Sequence, residues 1–151
     1  MNEGKRHTRE EVIEAAWRAR ERAVAPFSKF RVGASVETDD GRLFTGCNIE
    51  SASYGLTVCA ERVAIWKAIS EGARCFGLLV VAVDTETLTP PCGTCRQIIW
   101  EHCRDTTILL VNLQGQTEEL QIKDLLPRAF DARYLKEISR TEVGPKSEDE
   151  E

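Results

Sequence analysis

The sequence predicts one α/β domain: a mixed, five-stranded sheet with helices on both faces. Three observations carry this. Strand and helix patterns alternate through the second half of the chain, which calls for at least one parallel pairing with a helical crossover. Phe76–Val83 and Thr107–Asn112 are continuous apolar runs, the pattern of strands covered on both sides. Val32–Thr38 and Arg42–Ile49 flank Asp39-Asp40-Gly41, a hairpin turn signal. A chain of 151 residues fits one domain on a prior of ~100–200 residues each. It also buries enough surface to hold a core without disulfides.

The elements follow in order. Thr8-Arg9-Glu10-Glu11 reads as a capping box, with Thr8 as N-cap and Glu11 three residues on. Val12, Ile13, Ala16, Trp17 and Ala23 continue at helical spacing, and Pro26 sets the expected end near Ala25. The hairpin comes next, then a loop over Ser51–Thr57. Cys59–Glu71 is a helix stopped by Gly72. After Phe76–Val83, the segment Thr85–Pro91 is a loop and Cys92–His102 a second helix. Gln114-Gly115 turns the chain from the fourth strand into a fifth at Glu118–Ile122. Short helices are predicted over Asp124–Arg128 and Asp131–Ile138. Residues 1–7 are expected to form a flexible leader, 8–140 the folded unit, and 141–151 an acidic disordered tail.

The formal charge of −5 sits mostly in that tail, where residues 142–151 carry −4. The body, near neutral, lacks the excess positive charge a nucleic acid polymer demands. No stretch approaches the ~20 apolar residues of a membrane span, and no secretory signal opens the chain. The six cysteines are therefore expected to be reduced, in a cytoplasmic protein. A disulfide framework is the lesser alternative.

Reduced cysteines at close spacing point to a metal or to redox chemistry. Cys92 and Cys95 form a Cys-x-x-Cys at the start of one predicted helix; Cys59 opens the preceding one. The positive end of a helix lowers thiol pKa and favours the thiolate that a metal needs. Three thiolates leave one position of a tetrahedral zinc open, as catalytic sites do. Cys75 and Cys103 fall at the far ends of their helices, while spacing leaves Cys47 open as a fourth ligand. Glu61, two residues after Cys59, is placed to shuttle a proton; taken alone, it reads as a favourable acid in a helix first turn. Taken alone, Cys92 and Cys95 read as a redox pair or half of a structural zinc site.

The linked pattern is far more specific: Cys59-Ala60-Glu61, then Pro91-Cys92-Gly93-Thr94-Cys95 beginning 30 residues after Glu61. With Ala25-Pro26-Phe27-Ser28-Lys29-Phe30, Val32-Gly33-Ala34, the run Gly46–Gly55, Arg62, Arg96-Gln97 and Leu125-Leu126-Pro127, it resembles the cytidine deaminases of the small, homotetrameric, three-cysteine type. The resemblance spans roughly residues 10–131. It implies the three-layer fold of that family and one zinc ion per subunit held by Cys59, Cys92 and Cys95. It implies hydrolytic deamination of cytidine and 2′-deoxycytidine in pyrimidine salvage: hydroxide from zinc-bound water adds at C4, with Glu61 as proton shuttle. The Ala60 amide would hold the base carbonyl, Asn48 and Glu50 the ribose, and Phe30 would pack on the base. Tyr54 and Phe130 would reach a neighbouring subunit's pocket, as active sites are shared in the family tetramer. Arg62 would hydrogen-bond the thiolates and offset the surplus negative charge of three thiolates on one zinc.

Each of these residues also has a plainer reading. Asn48 and Glu50 suit a polar strand end, Arg62 a solvated helix face, and Phe130 ordinary packing. Trp66 and Trp100 read as core or subunit packing. Arg31 and Pro90 depart from the residues common at their positions, and Leu56 is bulky for its place; all three bear on substrate range. The runner-up function is deamination of a modified cytosine nucleoside, such as blasticidin S or an N4-substituted cytidine. From a different class, the alternatives are a non-catalytic zinc-binding module or a redox protein. Glu61 separates these readings, because a structural zinc site does not require it.

Overall fold

Thr8 opens the first helix, α1 (Arg9–Arg20), in the computed structural model, which describes residues 5–141 and the side chains of residues 5–136. Its hydroxyl accepts from the Glu11 amide while the Glu11 carboxylate accepts from the Thr8 amide, the reciprocal capping box expected. The helix ends earlier than Ala25. Val24 leaves it to pair with Ile49: Val24 N donates to the Asn48 carbonyl and Glu50 N to the Val24 carbonyl. Tertiary pairing thus wins over helix continuation in the last turn. Of the expected leader, residues 1–4 lie outside the described residues, and His7 donates its backbone amide to Glu37 Oε1 at 2.7 Å.

Strands β1 (Val32–Thr38), β2 (Leu43–Cys47), β3 (Phe76–Val83), β4 (Thr107–Val111) and β5 (Thr117–Leu120) form one mixed sheet in the order β2-β1-β3-β4-β5. The hairpin turns at Gly41, whose φ of 85° lies where L side chains are disfavoured. Among these five strands β3 and β4 are the parallel pair, with Leu79 opposite Ile108 and Val81 opposite Leu110. β2 is shorter than expected because Ile49 bridges Val24 and Val58 instead of extending the hairpin.

Period-two burial divides the core. Leu79, Val81 and Val83 of β3, with Ile108 and Leu110 of β4, pack on α2 (Ala60–Ser70) and α3 (Gly93–His102). Val80, Ala82, Leu109 and Val111 face α1 through Val12 and Ala16. Helices on both faces give three layers. A short helix, α4 (Ile122–Leu125), buries Ile122 and stops before Pro127, which disfavours a helical Leu126; the expected span was Asp124–Arg128. α5 (Ala132–Thr141) closes the described chain, and the tail from 142 on lies outside it. No helix of the described residues is long and apolar enough to cross a membrane.

The topology sets the site. β1 is antiparallel to both β2 and β3, so β2 and β3 point the same way. α2 and α3 are therefore crossovers that both start at the carboxyl edge of the sheet, where open α/β sheets bind ligands. Gly46 lets α2 approach: a Cβ there would lie 2.4 Å from the Ala60 carbonyl and 2.5 Å from the Ala64 amide. Gly46→Ala is expected to destabilise the fold by about 1–3 kcal/mol, as overpacking does, read as a lower urea midpoint at unchanged slope.

Candidate active site

Cys59 and Cys92 are the N-cap residues of α2 and α3, both in extended backbone, and neither thiol caps its own helix. Cys95 lies in the first turn of α3 and is buried. The three sulfurs all lie within 4.8 Å of one another, with Cys59 Sγ 3.6 Å from Cys92 Sγ. Among the described residues this is the one group of three or more such ligands close enough to hold a metal ion. Cys47, left open by spacing, is not part of it.

Arg62, one turn into α2, donates from Nη2 to Cys59 Sγ at 3.6 Å, and its guanidinium lies 5.7 Å from the centre of the half-exposed Trp66 ring. Its buried Nε has no hydrogen-bond partner among the described residues. Glu61 is buried, and its Oε2 accepts from Cys95 Sγ at 3.8 Å. Burial pushes the Glu61 carboxyl up to about 7, helped by the charge of Cys59. Cys59 is pulled down to about 5, first by the hydrogen bond from Cys95 and then, against burial, by Arg62 and Cys92. That same bond, with burial, pushes the Cys95 thiol up.

The donor set fits zinc. Three sulfurs converge at two helix N-termini, and an arginine with a spare buried N–H stands beside them, a surrounding that favours the thiolate at Cys59. Three protein ligands leave a tetrahedral ion one position for water or substrate.

Cys59, Cys92 and Glu61 line a cavity of about 260 Å³. Phe30, Asn48, Glu50 and Ala60 line it too. The Asn48 amide is engaged at both ends: Oδ1 accepts from Val32 N at 2.8 Å and Nδ2 donates to the Phe30 carbonyl at 2.6 Å. Glu50 Oε1 accepts from Phe27 N at 3.0 Å and Ser28 N at 3.2 Å. Burial works to raise the Glu50 pKa, but the bonds from Ser28 and Phe27 hold it below the ordinary value.

Tyr54 and Phe130 do not reach this cavity in their own chain. Tyr54 is exposed, meeting Phe27 edge-on at 6.0 Å. Phe130 is exposed and stacks on Tyr134, while Gln97 Nε2 donates to its carbonyl at 2.8 Å. Leu56 is also exposed and outside the lining; Pro90 is part of it. Trp100 packs partly on the core and donates to Asp131 Oδ2 at 3.1 Å.

Sequence reasoning did not assign Val81, Val83 and Thr89, which also line the cavity. The first two sit in a run read as core; for Thr89, proximity to Pro91-Cys92 was the available signal. A larger hollow of about 470 Å³ lies at the far end of α3, lined by Cys75, His102 and Cys103, among others, and by none of the expected site residues.

Over residues 6–111 the chain matches the family described as "Cytidine and deoxycytidylate deaminase zinc-binding region". It is 48% identical to a cytidine deaminase of Halalkalibacterium halodurans over 84% of this chain and 97% of that one. It is 32% identical to a blasticidin-S deaminase of Bacillus cereus over 68% of this chain and 79% of that one. The crystal structure of cytidine deaminase from Burkholderia pseudomallei shares the fold at a TM-score of 0.79 and 45% identity, covering 82% of this chain and all of that chain. Motifs, fold and three-cysteine site agree: this chain belongs to the zinc-binding cytidine and deoxycytidylate deaminase family.

Proposed function

We propose that this protein hydrolyses cytidine and 2′-deoxycytidine to uridine and 2′-deoxyuridine, releasing ammonia, in pyrimidine salvage. The observation that carries the proposal is a buried carboxyl, Glu61, beside three clustered cysteines in a nucleoside-sized cavity. Cys59, Cys92 and Cys95 hold zinc, which when bound acidifies a water to a pKa of ~7 and so supplies the nucleophile. Glu61 would take one proton from the attacking water and pass it to N3 of the base, then carry the remaining hydroxyl proton of the C4 adduct to the departing amine. The Ala60 amide donates to the base carbonyl. Phe30 covers the base, and Asn48 and Glu50 bind the ribose hydroxyls. Arg62 draws charge from Cys59.

The substrate is a nucleoside rather than a nucleotide. The charged residues in the lining are Glu50 and Glu61, with no Lys, Arg or His to meet a phosphate. The enzyme works in the cytoplasm as a homotetramer in which Tyr54 and Phe130, both exposed in the single chain, complete a neighbour's pocket. The catalytic unit spans residues 8–140.

A modified cytosine nucleoside is the second reading, supported by Pro90 in the cavity wall and by the blasticidin-S deaminase relative. The test is the ultraviolet absorbance change of cytidine, deoxycytidine, cytosine, blasticidin S and N4-methylcytidine with the zinc-loaded protein. Loss of the cytidine band with one ammonia per uridine is the expected result. Turnover of blasticidin S or N4-methylcytidine without cytidine selects the second reading. Silence on all five, with zinc bound, overturns both and leaves a zinc-binding module.

A further inference from the structure

The cavity has two walls that come from distant parts of the chain and do not belong to α2 or α3. One is the segment carrying Ser28, Phe30 and Val32; the other is the segment after β3 carrying Thr89 and Pro90, which leads into Cys92. The first wall lacks strand partners along most of its length. Side chains hold its backbone instead: Ser28 Oγ accepts from Phe30 N at 3.0 Å, and Asn48 holds the Phe30 carbonyl and the Val32 amide. Lys29 within it has a φ of 63°, a conformation a lysine adopts only where its surroundings impose it.

Glu50 holds the Ser28 amide from within the cavity, and Arg20 acts on this wall from outside it. Arg20, the last residue of α1, donates from Nε to the Arg31 carbonyl at 3.1 Å. The same guanidinium, from Nη2, hydrogen-bonds and ion-pairs with Asp84 Oδ2. Asp84 follows Val83 directly and heads the second wall. That wall is tied within itself, where Thr85 Oγ1 donates to the Thr87 carbonyl at 2.6 Å and lies 3.0 Å from Thr89 Oγ1. Arg20 has little freedom: its side chain is 15% exposed, and a Cβ on Gly33 would strike its backbone amide and its own Cβ. A guanidinium suits this place because its donors are fixed in one plane and serve two acceptors at once.

We propose that Arg20 is a positioning residue for nucleoside binding, bracing the Phe30 wall against the Thr89–Pro90 wall through Arg31 and Asp84. The proposal rests on the cavity being the nucleoside site. A brace of this kind sets the distance between the walls before substrate arrives, so its loss weakens binding more than the chemistry at Glu61.

Arg20→Met and Asp84→Ala, singly and together, test it by steady-state kinetics on cytidine, zinc content and amide hydrogen exchange. Each single variant is expected to raise KM about tenfold while kcat holds within about twofold. Zinc stays at one per chain. The double variant is no worse than the worse single one, because both remove the same link. Exchange speeds up in residues 28–32 and 84–91 and stays unchanged in α2. A folded, zinc-loaded variant with unchanged KM overturns the brace, as does additivity in the double variant or a fall in kcat that tracks zinc loss. Should Arg20→Met not fold, Asp84→Ala, altered at a more exposed residue, decides alone. Wild-type protein inactive on cytidine would instead remove the reading of the cavity, and the exchange data would still decide whether Arg20 links the two walls.

Discussion

Glu61→Gln keeps the fold and the zinc and loses turnover, by roughly 10²–10⁴ in kcat on cytidine, the usual worth of a positioned acid–base group. The substitution changes one buried oxygen for an amide nitrogen of nearly the same size, so the cavity keeps its shape. What it removes is a group that can take a proton from water and pass it to the base. No other acid in the cavity lining stands in: Glu50, the second carboxylate there, is occupied by the backbone amides of Phe27 and Ser28. Metal analysis, circular dichroism and initial rates on one preparation check this. A Glu61→Gln enzyme with wild-type kcat would overturn the proton-shuttle role; one that loses its zinc would make Glu61 part of metal binding instead.

Cys92→Ala produces a different failure. Zinc falls below about a tenth of an equivalent per chain, since two remaining sulfurs hold the ion far more weakly than three. Turnover falls with it. The helix survives, because Cys92 makes no side-chain capping bond to α3 and is exposed. The variant should therefore melt close to wild-type protein stripped of metal by a chelator. Added zinc then separates the two, restoring stripped wild type and leaving Cys92→Ala inactive. Full zinc occupancy in Cys92→Ala would show that the ligand set is wrong.

Much of this was legible in the residues. Thr8 and Glu11 announced the start of α1, and Asp39-Asp40-Gly41 announced the hairpin. The apolar run 76–83 is β3 residue for residue. Cys59, Cys92 and Cys95 were readable because helix N-termini and short spacings are local signals. The illegible parts depend on contacts between segments distant in sequence. Val24, Ile49 and Val58 pair with one another, and that pairing shortened both α1 and β2 relative to expectation. Asn48 looked like a ligand for a sugar, yet its amide also holds the Phe30 wall in place. Arg20 and Asp84 are 64 positions apart, and no local pattern joins them.

Val81 and Val83 belong both to the packed core beneath α2 and α3 and to the floor of the cavity. Widening that floor by a smaller side chain would leave a void in the core, at about 0.5–1.5 kcal/mol for each methylene removed. Thr89 and Pro90 carry no such burden, since they lie in a loop and neither side chain belongs to the core clusters. The pocket of this protein is thus open to change along one side and costly to change on the other. Laboratory selection for bulkier bases would find its surviving variants in the loop before β-sheet positions, whichever library it began from.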